Sequence, residues 1–318
     1  MGKQTTPPWA VILAGGDGVR LRPLTMQVAG DERPKQYCPF IDGETLLDRT
    51  RRRMDLLVRF DRQTAVVTRT HEPYYRGLLA ELPPGRLLIQ PQNRGTAPAI
   101  VYAALHVTGL AGADVPLVVT PSDHHVSDDA AFMAYVGRAL EMVRARPDLV
   151  VLLGIEPTHP EPDYGWIAPD AVPLPMDGEP SFPIRRFWEK PSPREAERLF
   201  HGGCVWNSFV MVGWTNAFLD LVAATEPALL DVLDTFAGAR HLHRTTHAER
   251  RLERAYQRLP VMGFSETVLV PGAARLTVMR VKGVEWSDWG DPRRVLASLR
   301  NAGLRPAWLD RVHLAEAV

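Results

Sequence analysis

The chain has 318 residues, of which 45% are hydrophobic, and it contains 28 prolines, 24 glycines and 2 cysteines. This hydrophobic content supports a sizeable core and excludes disorder of the whole chain. The 37 basic and 37 acidic residues balance, which argues against a protein that holds nucleic acid or an acidic membrane by bulk charge. Lysine is scarce among the basic residues and occurs only as Lys3, Lys35, Lys190 and Lys282.

The sequence predicts a cytoplasmic protein. Cys38 and Cys204 are too few for a disulfide framework, which is typical of a reducing compartment. The longest apolar run, from Leu149 to Ile155, is far shorter than the roughly 18 residues of a membrane helix. The N-terminal residues lack the apolar segment of a signal peptide, so we expect neither secretion nor membrane binding.

The first half of the chain alternates predicted strands and helices. The apolar runs predict strands at Trp9–Ala14, Thr64–Thr68, Arg86–Ile89, Val115–Thr120 and Leu149–Gly154. The amphipathic and alanine-rich stretches predict helices at Glu44–Arg59, Pro73–Glu81, Thr96–Val107 and Asp129–Arg144. This alternation is typical of a parallel α/β sheet that is covered by helices on both faces.

The pattern changes after Gly154. A proline-rich stretch, 156–183, predicts short strands and loops. Strands are predicted after it at Ile184–Trp188, Val205–Val212 and Leu276–Val281. Helices are predicted at Pro193–Phe200, within 215–259 and at Pro292–Asn301. The Arg- and His-rich run from His241 to Arg258 could suggest RNA binding, but its apolar stripe favours a solvated helix, and we expect no nucleic-acid partner.

The loop after the first predicted strand carries Gly15, Gly16 and Gly18, followed by Arg20. Glycines let backbone N–H groups approach a phosphate closely, and ligands of parallel sheets bind at the carboxyl ends of strands. The loop lacks the Gly-Lys-Ser/Thr ending of a P-loop and the third glycine of a dinucleotide fingerprint, which disfavours an oxidoreductase. Because the first proline follows at Pro23, we expect no long helix here. A plain glycine turn is the alternative.

The segment Leu13–Thr25 has the pattern L-A-G-G-x-G-x-R-L-x-P-L-T and is followed by P-K-Q at Pro34–Gln36. These motifs resemble the signature of the sugar-1-phosphate nucleotidyltransferases, and most closely the mannose-1-phosphate guanylyltransferases. Further blocks resemble that subgroup in the same order, at Pro91–Ala99, Pro121–His124, Gly154–Ile167, Phe187–Pro191, Trp206–Ser208 and Trp286–Gly290. The resemblance covers nearly the whole chain, from about residue 9 to residue 290.

The resemblance implies an α/β fold with a Rossmann-like, mostly parallel sheet and a smaller mixed α+β part that binds the sugar. We expect a polar tail at 1–8, one nucleotidyltransferase domain at 9–301, divided near residue 154 into a nucleotide part and a sugar-phosphate part, and an extension at 302–318. With 28 residues after Gly290, we expect no C-terminal isomerase domain such as longer relatives carry. Relatives often dimerise, so the resemblance also makes a homodimer an expectation.

The resemblance assigns roles to individual residues. Arg20 and Lys35 are the implied catalytic residues, which would neutralise phosphate charge, and Asp123 and Asp288 are the implied Mg²⁺ ligands. The implied nucleotide-binding residues are Leu13, Gly15, Gly16, Gly18, Gln90, Gly95, Thr96 and Ser122. The implied sugar-phosphate-binding residues are Tyr164, Gly165, Glu189, Lys190 and Asn207. His124 and His125 beside Asp123 could suggest zinc, but no third ligand follows at a regular spacing.

Three departures from the subgroup pattern leave the substrates open. Gln90 and Gly95 stand where the guanylyltransferases have Glu and Asn, and a Gln there resembles relatives that transfer thymidylyl or uridylyl groups. Phe209 stands where the pattern has Gly, and Phe264–Glu266 differs from the usual S-x-D. The implied reaction uses GTP and mannose 1-phosphate; UTP or dTTP with glucose or heptose phosphate, and a non-catalytic sugar-nucleotide-binding subunit, are the alternatives.

Overall fold

The computed structural model describes residues 6–175, 178–237 and 246–312. The elements up to the middle of the chain are β1 (Trp9–Leu13), α1 (Arg22–Ala29), α2 (Leu46–Asp55), β2 (Gln63–Thr68), α3 (Glu72–Leu78), β3 (Leu87–Gln90), α4 (Thr96–Ala111), β4 (Pro116–Pro121), β5 (His125–Val126), α5 (Asp129–Ala145) and β6 (Val150–Ile155). The later elements are β7 (Gly165–Pro169), β8 (Ser181–Glu189), α6 (Pro193–His201), β9 (Val205–Trp214), α7 (Thr215–Thr225), α8 (Pro227–Ala237), α9 (Thr246–Arg258), β10 (Leu276–Val281), β11 (Trp286–Ser287) and α10 (Pro292–Asn301).

One large sheet organises the chain, with the strand order β3-β2-β1-β4-β9-β6-β10-β8-β7. Strands β1, β2, β3 and β4 pair in parallel, as do β6 and β10, so the first half of the chain contributes parallel strands as predicted. Strand β9 lies antiparallel between β4 and β6, and β8 is antiparallel to both β10 and β7. Seven of the nine strands described in this sheet therefore run in one direction, and β8 and β9 run in the other. The sheet is mixed, and the apolar sequence of β9 gave no indication of its direction.

Helices cover both faces of this sheet, as the alternation of strands and helices predicted. Val11 of β1 belongs to a core with residues of α4, α7 and α8, whereas Ala10 and Ile12 belong to a core with residues of α2 and α5. Successive strand residues point to opposite faces, which explains this division. None of the helices in the described ranges is both long and apolar enough to cross a membrane.

A third cluster joins the glycine loop to the C-terminal part of the chain. It contains Leu21, Leu24, Phe40, Trp289 and Trp308. The Trp308 indole N–H donates to the Phe40 carbonyl oxygen at 2.7 Å, so the described part of the C-terminal extension packs against the segment that follows Lys35.

Some predicted elements differ from the structure. An eight-residue helix, α1, begins at Arg22 despite Pro23, because proline is tolerated in the first turn, where its missing N–H has no helical partner. The short antiparallel pair of β5 and β11 was not predicted. The predicted helical region 215–259 consists of α7, α8 and α9, and its part at 238–245 lies outside the described residues, as do residues 1–5 of the tail and 313–318 of the extension.

Candidate active site

A cleft of about 550 Å³ opens at the carboxyl ends of β1, β3 and β4. Its other side is formed by the start of β7, the end of β8 and the first residues of β9. All the residues that the sequence analysis assigned to substrate or metal line this cleft, except Gly18, Lys35 and Ser122. Residues from distant parts of the chain therefore meet where a parallel sheet normally binds its ligand.

Gly18 and Ser122 support the cleft wall from behind. Gly18 has a left-handed backbone (φ 57°), and a Cβ there would lie 3.0 Å from the Lys35 backbone nitrogen, so the bare glycine lets the loop rest on Lys35. The Ser122 side chain is fully buried, and its hydroxyl and backbone N–H both donate to the Leu13 carbonyl oxygen, at 2.8 and 3.0 Å. Both residues fix the strand ends and loops that carry the lining groups.

The Lys35 ammonium links the two predicted metal-binding loops. Its nitrogen lies 3.2 Å from Oδ2 of Asp123 and donates to the backbone carbonyls of Asp288 and Trp289, the latter at 3.3 Å. The pairing of β5 with β11 brings these loops together. Burial opposes the ionisation of Asp123, but the positive charges of Lys35 and His124 outweigh it and lower the pKa of this carboxyl below its usual value. The carboxylate is therefore ionised at neutral pH.

The residues after Lys35 hold the glycine loop in place. The Gln36 amide donates to the carbonyls of Ala14 and Gly16 at 3.0 and 2.8 Å, and the Tyr37 hydroxyl donates to the Ala14 carbonyl at 2.6 Å. Because C=O and N–H point in opposite directions in a trans peptide, anchoring these carbonyls turns the following N–H groups the other way. The loop is thus oriented before any phosphate arrives.

Asp17, within the same loop, is held from two sides. One carboxylate oxygen lies 3.0 Å from Nε2 of His71, and the other accepts a hydrogen bond from the Asn93 amide at 2.7 Å. Burial lowers the pKa of His71, although Asp17 opposes this effect. Neither residue was predicted, because His71 lies outside the motif blocks and the Pro91–Ala99 block gave Asn93 no role.

Gln90 is buried at the end of β3. Its carbonyl Oε1 accepts a hydrogen bond from the Tyr256 hydroxyl at 3.2 Å, and its Nε2 lies against Gly15, where a Cβ would approach to 2.8 Å. Because the Tyr256 hydroxyl binds Oε1 of Gln90, the amide NH₂ group of Gln90 is the end that lies at the glycine loop, and it can act only as a donor. A Glu in this position would offer acceptors only.

Gly95 is the departure that the structure explains most directly. Its backbone has φ +85°, and the place of a Cβ is taken by the Met262 carbonyl, with the Met262 carbonyl carbon only 2.8 Å away. The Met262 N–H donates to the Arg94 carbonyl at 2.9 Å, and its own carbonyl accepts from the Ala97 N–H at 3.1 Å. The segment around Met262 thus packs where an Asn side chain would begin.

We expect Gly95→Asn, which restores the subgroup residue, to destabilise the protein by about 2–3 kcal/mol, because the Cβ collides with backbone and the conformation is strained for any L side chain. Urea unfolding measures the change. Gly109→Ala is the matched control, since Gly109 lies in α4 with nothing within 4 Å of its Cβ position, and we expect a gain of up to about 1 kcal/mol. Equal stability of Gly95→Asn and the unmodified protein would contradict this packing.

The sugar side of the cleft contains strained backbone. Lys190 and Phe209 both have positive φ values, 46° and 59°, and both line the cleft. Phe209 keeps the left-handed conformation for which the family pattern has Gly, and its N–H donates to Oδ1 of Asn207 at 3.0 Å. Since that bond occupies the Asn207 acceptor, the amide group of Asn207 remains a donor. Strain of this kind clusters at ligand sites.

Arg294 is a central residue that the sequence analysis missed. Its guanidinium lies 2.9 Å from Asp163, 3.0 Å from Asp291 and 3.5 Å from both Glu161 and Asp288, and it covers the Tyr164 ring at 5.1 Å. Asp163 also pairs with Arg20 at 3.2 Å. Arg294 is one of many arginines and carries no local signal, because two of its acidic partners, Glu161 and Asp163, come from a loop some 130 residues earlier.

Two carboxylates could hold a divalent cation here. Asp123 and Asp288 both line the cleft, and Mg²⁺ typically takes one or two protein carboxylates and completes its shell with phosphate and water. Within residues 6–175, 178–237 and 246–312, no group of three or more His, Cys, Asp or Glu side chains is arranged to hold a metal. This hard-oxygen donor set fits Mg²⁺ bound together with a substrate.

The protein has an α/β fold, and its cleft combines a glycine loop and a polar second half with a buried lysine between two acidic loops. The sequence matches the Nucleotidyl transferase family over residues 9–302, and the chain belongs to this family. The family predicted from the motif blocks is therefore confirmed.

Similar proteins include the xanthan biosynthesis protein XanB of Xanthomonas campestris, 34% identical over 224 residues, which are 70% of this chain and 45% of the relative. A mannose-1-phosphate guanylyltransferase of Escherichia coli is 27% identical over 90% of this chain and 60% of its own length. The chain thus spans about half the length of the curated relatives it matches. A solved structure described as a mannose-1-phosphate geranyltransferase from Thermus thermophilus has TM-score 0.76 at 29% identity and covers 94% of this chain and 80% of its own.

Proposed function

We propose that this protein transfers a nucleotidyl group from a nucleoside triphosphate to a hexose 1-phosphate and releases pyrophosphate. The reaction that we favour is GTP plus α-D-mannose 1-phosphate to GDP-mannose plus diphosphate. The observation that carries the proposal is the buried Lys35 ammonium, which lies against the Asp123 carboxylate and the Asp288 carbonyl where two loops that line the cleft meet. The names of the E. coli and Thermus relatives support mannose 1-phosphate.

In this reaction an oxygen of the sugar phosphate attacks the α-phosphorus, and the bond from that phosphorus to the bridging oxygen of the β-phosphate breaks, so that pyrophosphate leaves with the electron pair. The enzyme needs no covalent nucleophile. Its tasks are to bring two polyanions together in line and to neutralise the charge of the transition state. Arg20 with the glycine loop would hold the triphosphate, Lys35 would face the α-phosphate, and Lys190 would pair with the sugar phosphate.

Asp123 and Asp288 are the residues that would hold Mg²⁺. When bound, the ion would neutralise phosphate charge as a Lewis acid. Lys35 lies beside Asp123 and would remain close enough to share that phosphate charge, so the two cations would act on the same group.

Other nucleotides and other sugar phosphates are alternative substrates for the same reaction. Gln90 presents an amide donor, which suits the carbonyl oxygens of uracil or thymine as well as O6 of guanine, so UTP and dTTP stay alternatives, with glucose or heptose phosphate as alternative acceptors. A non-catalytic sugar-nucleotide-binding subunit is disfavoured, because Arg20, Lys35, Asp123 and Asp288 retain the charge that catalysis requires.

A matrix of nucleotides and sugar phosphates tests the proposal. The purified protein with Mg²⁺ is offered GTP, UTP, dTTP or ATP against mannose, glucose and heptose 1-phosphates, and pyrophosphate release is measured. We expect the highest kcat/KM for GTP with mannose 1-phosphate. Turnover of UTP or dTTP only would reassign the nucleotide, and the absence of pyrophosphate in every combination would refute the enzyme.

The proposal places the reaction in the cytoplasm and requires no nucleic acid. Both cysteines are buried and unpaired, and burial raises the pKa of each thiol, which keeps them in the inert protonated form. A reducing compartment suits such thiols. A homodimer stays an expectation that size measurement of the purified protein in solution can test.

A further inference from the structure

Two glutamates lie on the proposed sugar side of the cleft, one in the Phe187–Pro191 block and the other where Phe264–Glu266 departs from the family's S-x-D. Glu189 ends β8, and Glu266 lies in a single π-helical turn, Ser265–Leu269. Both line the cleft together with Lys190 and Asn207. Within the described part of the chain, neither carboxylate forms an ion pair closer than 4 Å, so both are available to a ligand.

The backbone is shaped to admit both carboxylates. A Cβ on Gly165 would lie 2.9 Å from Oε2 of Glu189, and the place of a Cβ on Gly263 is occupied by the Glu266 carboxylate. Any larger residue at either glycine would displace the carboxylate that rests on it. The start of β7 and the segment before the π-helical turn therefore each provide a bare backbone against which one acidic group packs.

The two acidic groups influence each other. Burial and, after it, the negative charge of Glu266 together raise the pKa of Glu189 to about 7, although Lys190 and the Ser265 hydroxyl oppose the rise. The other charged or titratable groups that line the cleft are Arg20, Asp123, His124, Asp163, Tyr164 and Asp288. Near neutral pH a fraction of Glu189 is therefore protonated, and this fraction depends on Glu266.

We propose that Glu266 determines sugar specificity together with Glu189, by accepting hydrogen bonds from ring hydroxyls of a neutral hexose 1-phosphate and by rejecting a hexuronic acid 1-phosphate. The proposal rests on the proposed function and names the substrate class of its sugar site. The ring carboxylate of a hexuronic acid would face the carboxylates of Glu189 and Glu266. The nearby cation, Lys190, would not neutralise it, because Lys190 would already pair with the 1-phosphate. Like charges opposed in this way are strongly unfavourable.

The test compares the unmodified protein with Glu266→Gln. Its substrates are the hexose 1-phosphate that is turned over fastest and the uronic acid 1-phosphate of the same ring stereochemistry. We expect the preference for the neutral sugar, as a ratio of kcat/KM values, to fall on the order of tenfold. The KM of the nucleotide should not change. An unchanged ratio would overturn the proposal.

The pH dependence gives a second readout. For the unmodified protein, kcat/KM for the hexose 1-phosphate should rise as the pH passes about 7, because Glu189 then ionises and accepts hydroxyl hydrogen bonds. In Glu266→Gln this rise should move to lower pH, since the neighbouring negative charge is gone. The substrate phosphate also titrates in this range but does so equally for both proteins. Identical profiles would contradict the coupling.

Glu197→Gln is the matched control, because Glu197 is exposed on α6 outside the cleft, and it should leave both readouts unchanged. Infrared spectroscopy keeps the proposal testable even if no sugar phosphate is turned over. At pH 7 the resting protein should show a protonated carboxyl band that Glu189→Gln removes and Glu266→Gln weakens. A band that Glu266→Gln leaves intact refutes the coupling, whereas a lack of turnover with a weakened band refutes only the proposed function.

Discussion

Lys35→Ala is expected to lower kcat by about 10²–10³-fold with a much smaller effect on the KM of the nucleotide. The ammonium is buried at the meeting point of the two acidic loops, so it is positioned to act on charge that develops in the transition state rather than on the ground-state triphosphate. Its removal also leaves the Asp123 carboxylate without its nearest cation. Steady-state kinetics at saturating Mg²⁺ measure both parameters.

Lys282→Ala is the control for this variant, because Lys282 is an exposed lysine outside the cleft and should leave kcat unchanged. The opposite kinetic pattern, a raised KM of the nucleotide with an unchanged kcat, would make Lys35 a residue that binds the ground state. Thermal unfolding of both variants separates a loss of chemistry from a loss of folded protein.

Asp288→Asn should raise the Mg²⁺ concentration required for half-maximal activity on the order of tenfold or more, the size of loss that even outer-shell changes produce. Asn keeps an oxygen that can accept the Gly290 N–H, which Oδ1 of Asp288 accepts at 2.8 Å, so the turn survives while the charge is lost. The measurement is activity against Mg²⁺ concentration, supported by titration of the protein with Mn²⁺ in a calorimeter.

Asp291→Asn provides the comparison. Asp291 caps α10 through the backbone N–H groups of Arg293 and Arg294, and Asn is an equally good N-cap, so this variant removes a charge three residues away and keeps the helix. It should leave the Mg²⁺ requirement nearly unchanged. If Asp288→Asn shows the same requirement as the unmodified protein, Asp288 is not a metal ligand.

Local sequence signals predicted the bounds of a helix or strand well wherever capping or helix-starting residues mark its ends. The predicted bounds of β10 and α10 agree with the structure, since Asp291 and Pro292 mark the start of α10. The helix predicted at Glu44–Arg59 is shorter, Leu46–Asp55, because Thr45 and Asp48 form a capping box that fixes its first residue. The direction of β9 and the pairing of β5 with β11 depend on distant partners, which no local pattern specifies.

The residues of the candidate site likewise fall into those that local motifs predicted and those that only the fold brings together. Motif blocks named the residues that line the cleft, because each block follows a strand and the strand ends meet at one edge of the sheet. They assigned no role to Asp163, although it lies in the Gly154–Ile167 block, or to Glu266, and Arg294 lies outside the blocks altogether. These residues act through partners more than 70 residues away in the chain, and only the fold shows that their charges meet.

The ion pair between Asp163 and Arg20 is weak and can be broken easily. The Asp163 carboxylate is shared by Arg20 and Arg294, and the Arg20 pair is exposed, so breaking it costs no more than about 1 kcal/mol. When an incoming phosphate attracts Arg20, Asp163 keeps Arg294 and no charge is stranded. Arg20 is therefore held beside the glycine loop, and in the proposed reaction the triphosphate would recruit this guanidinium at a small energetic cost.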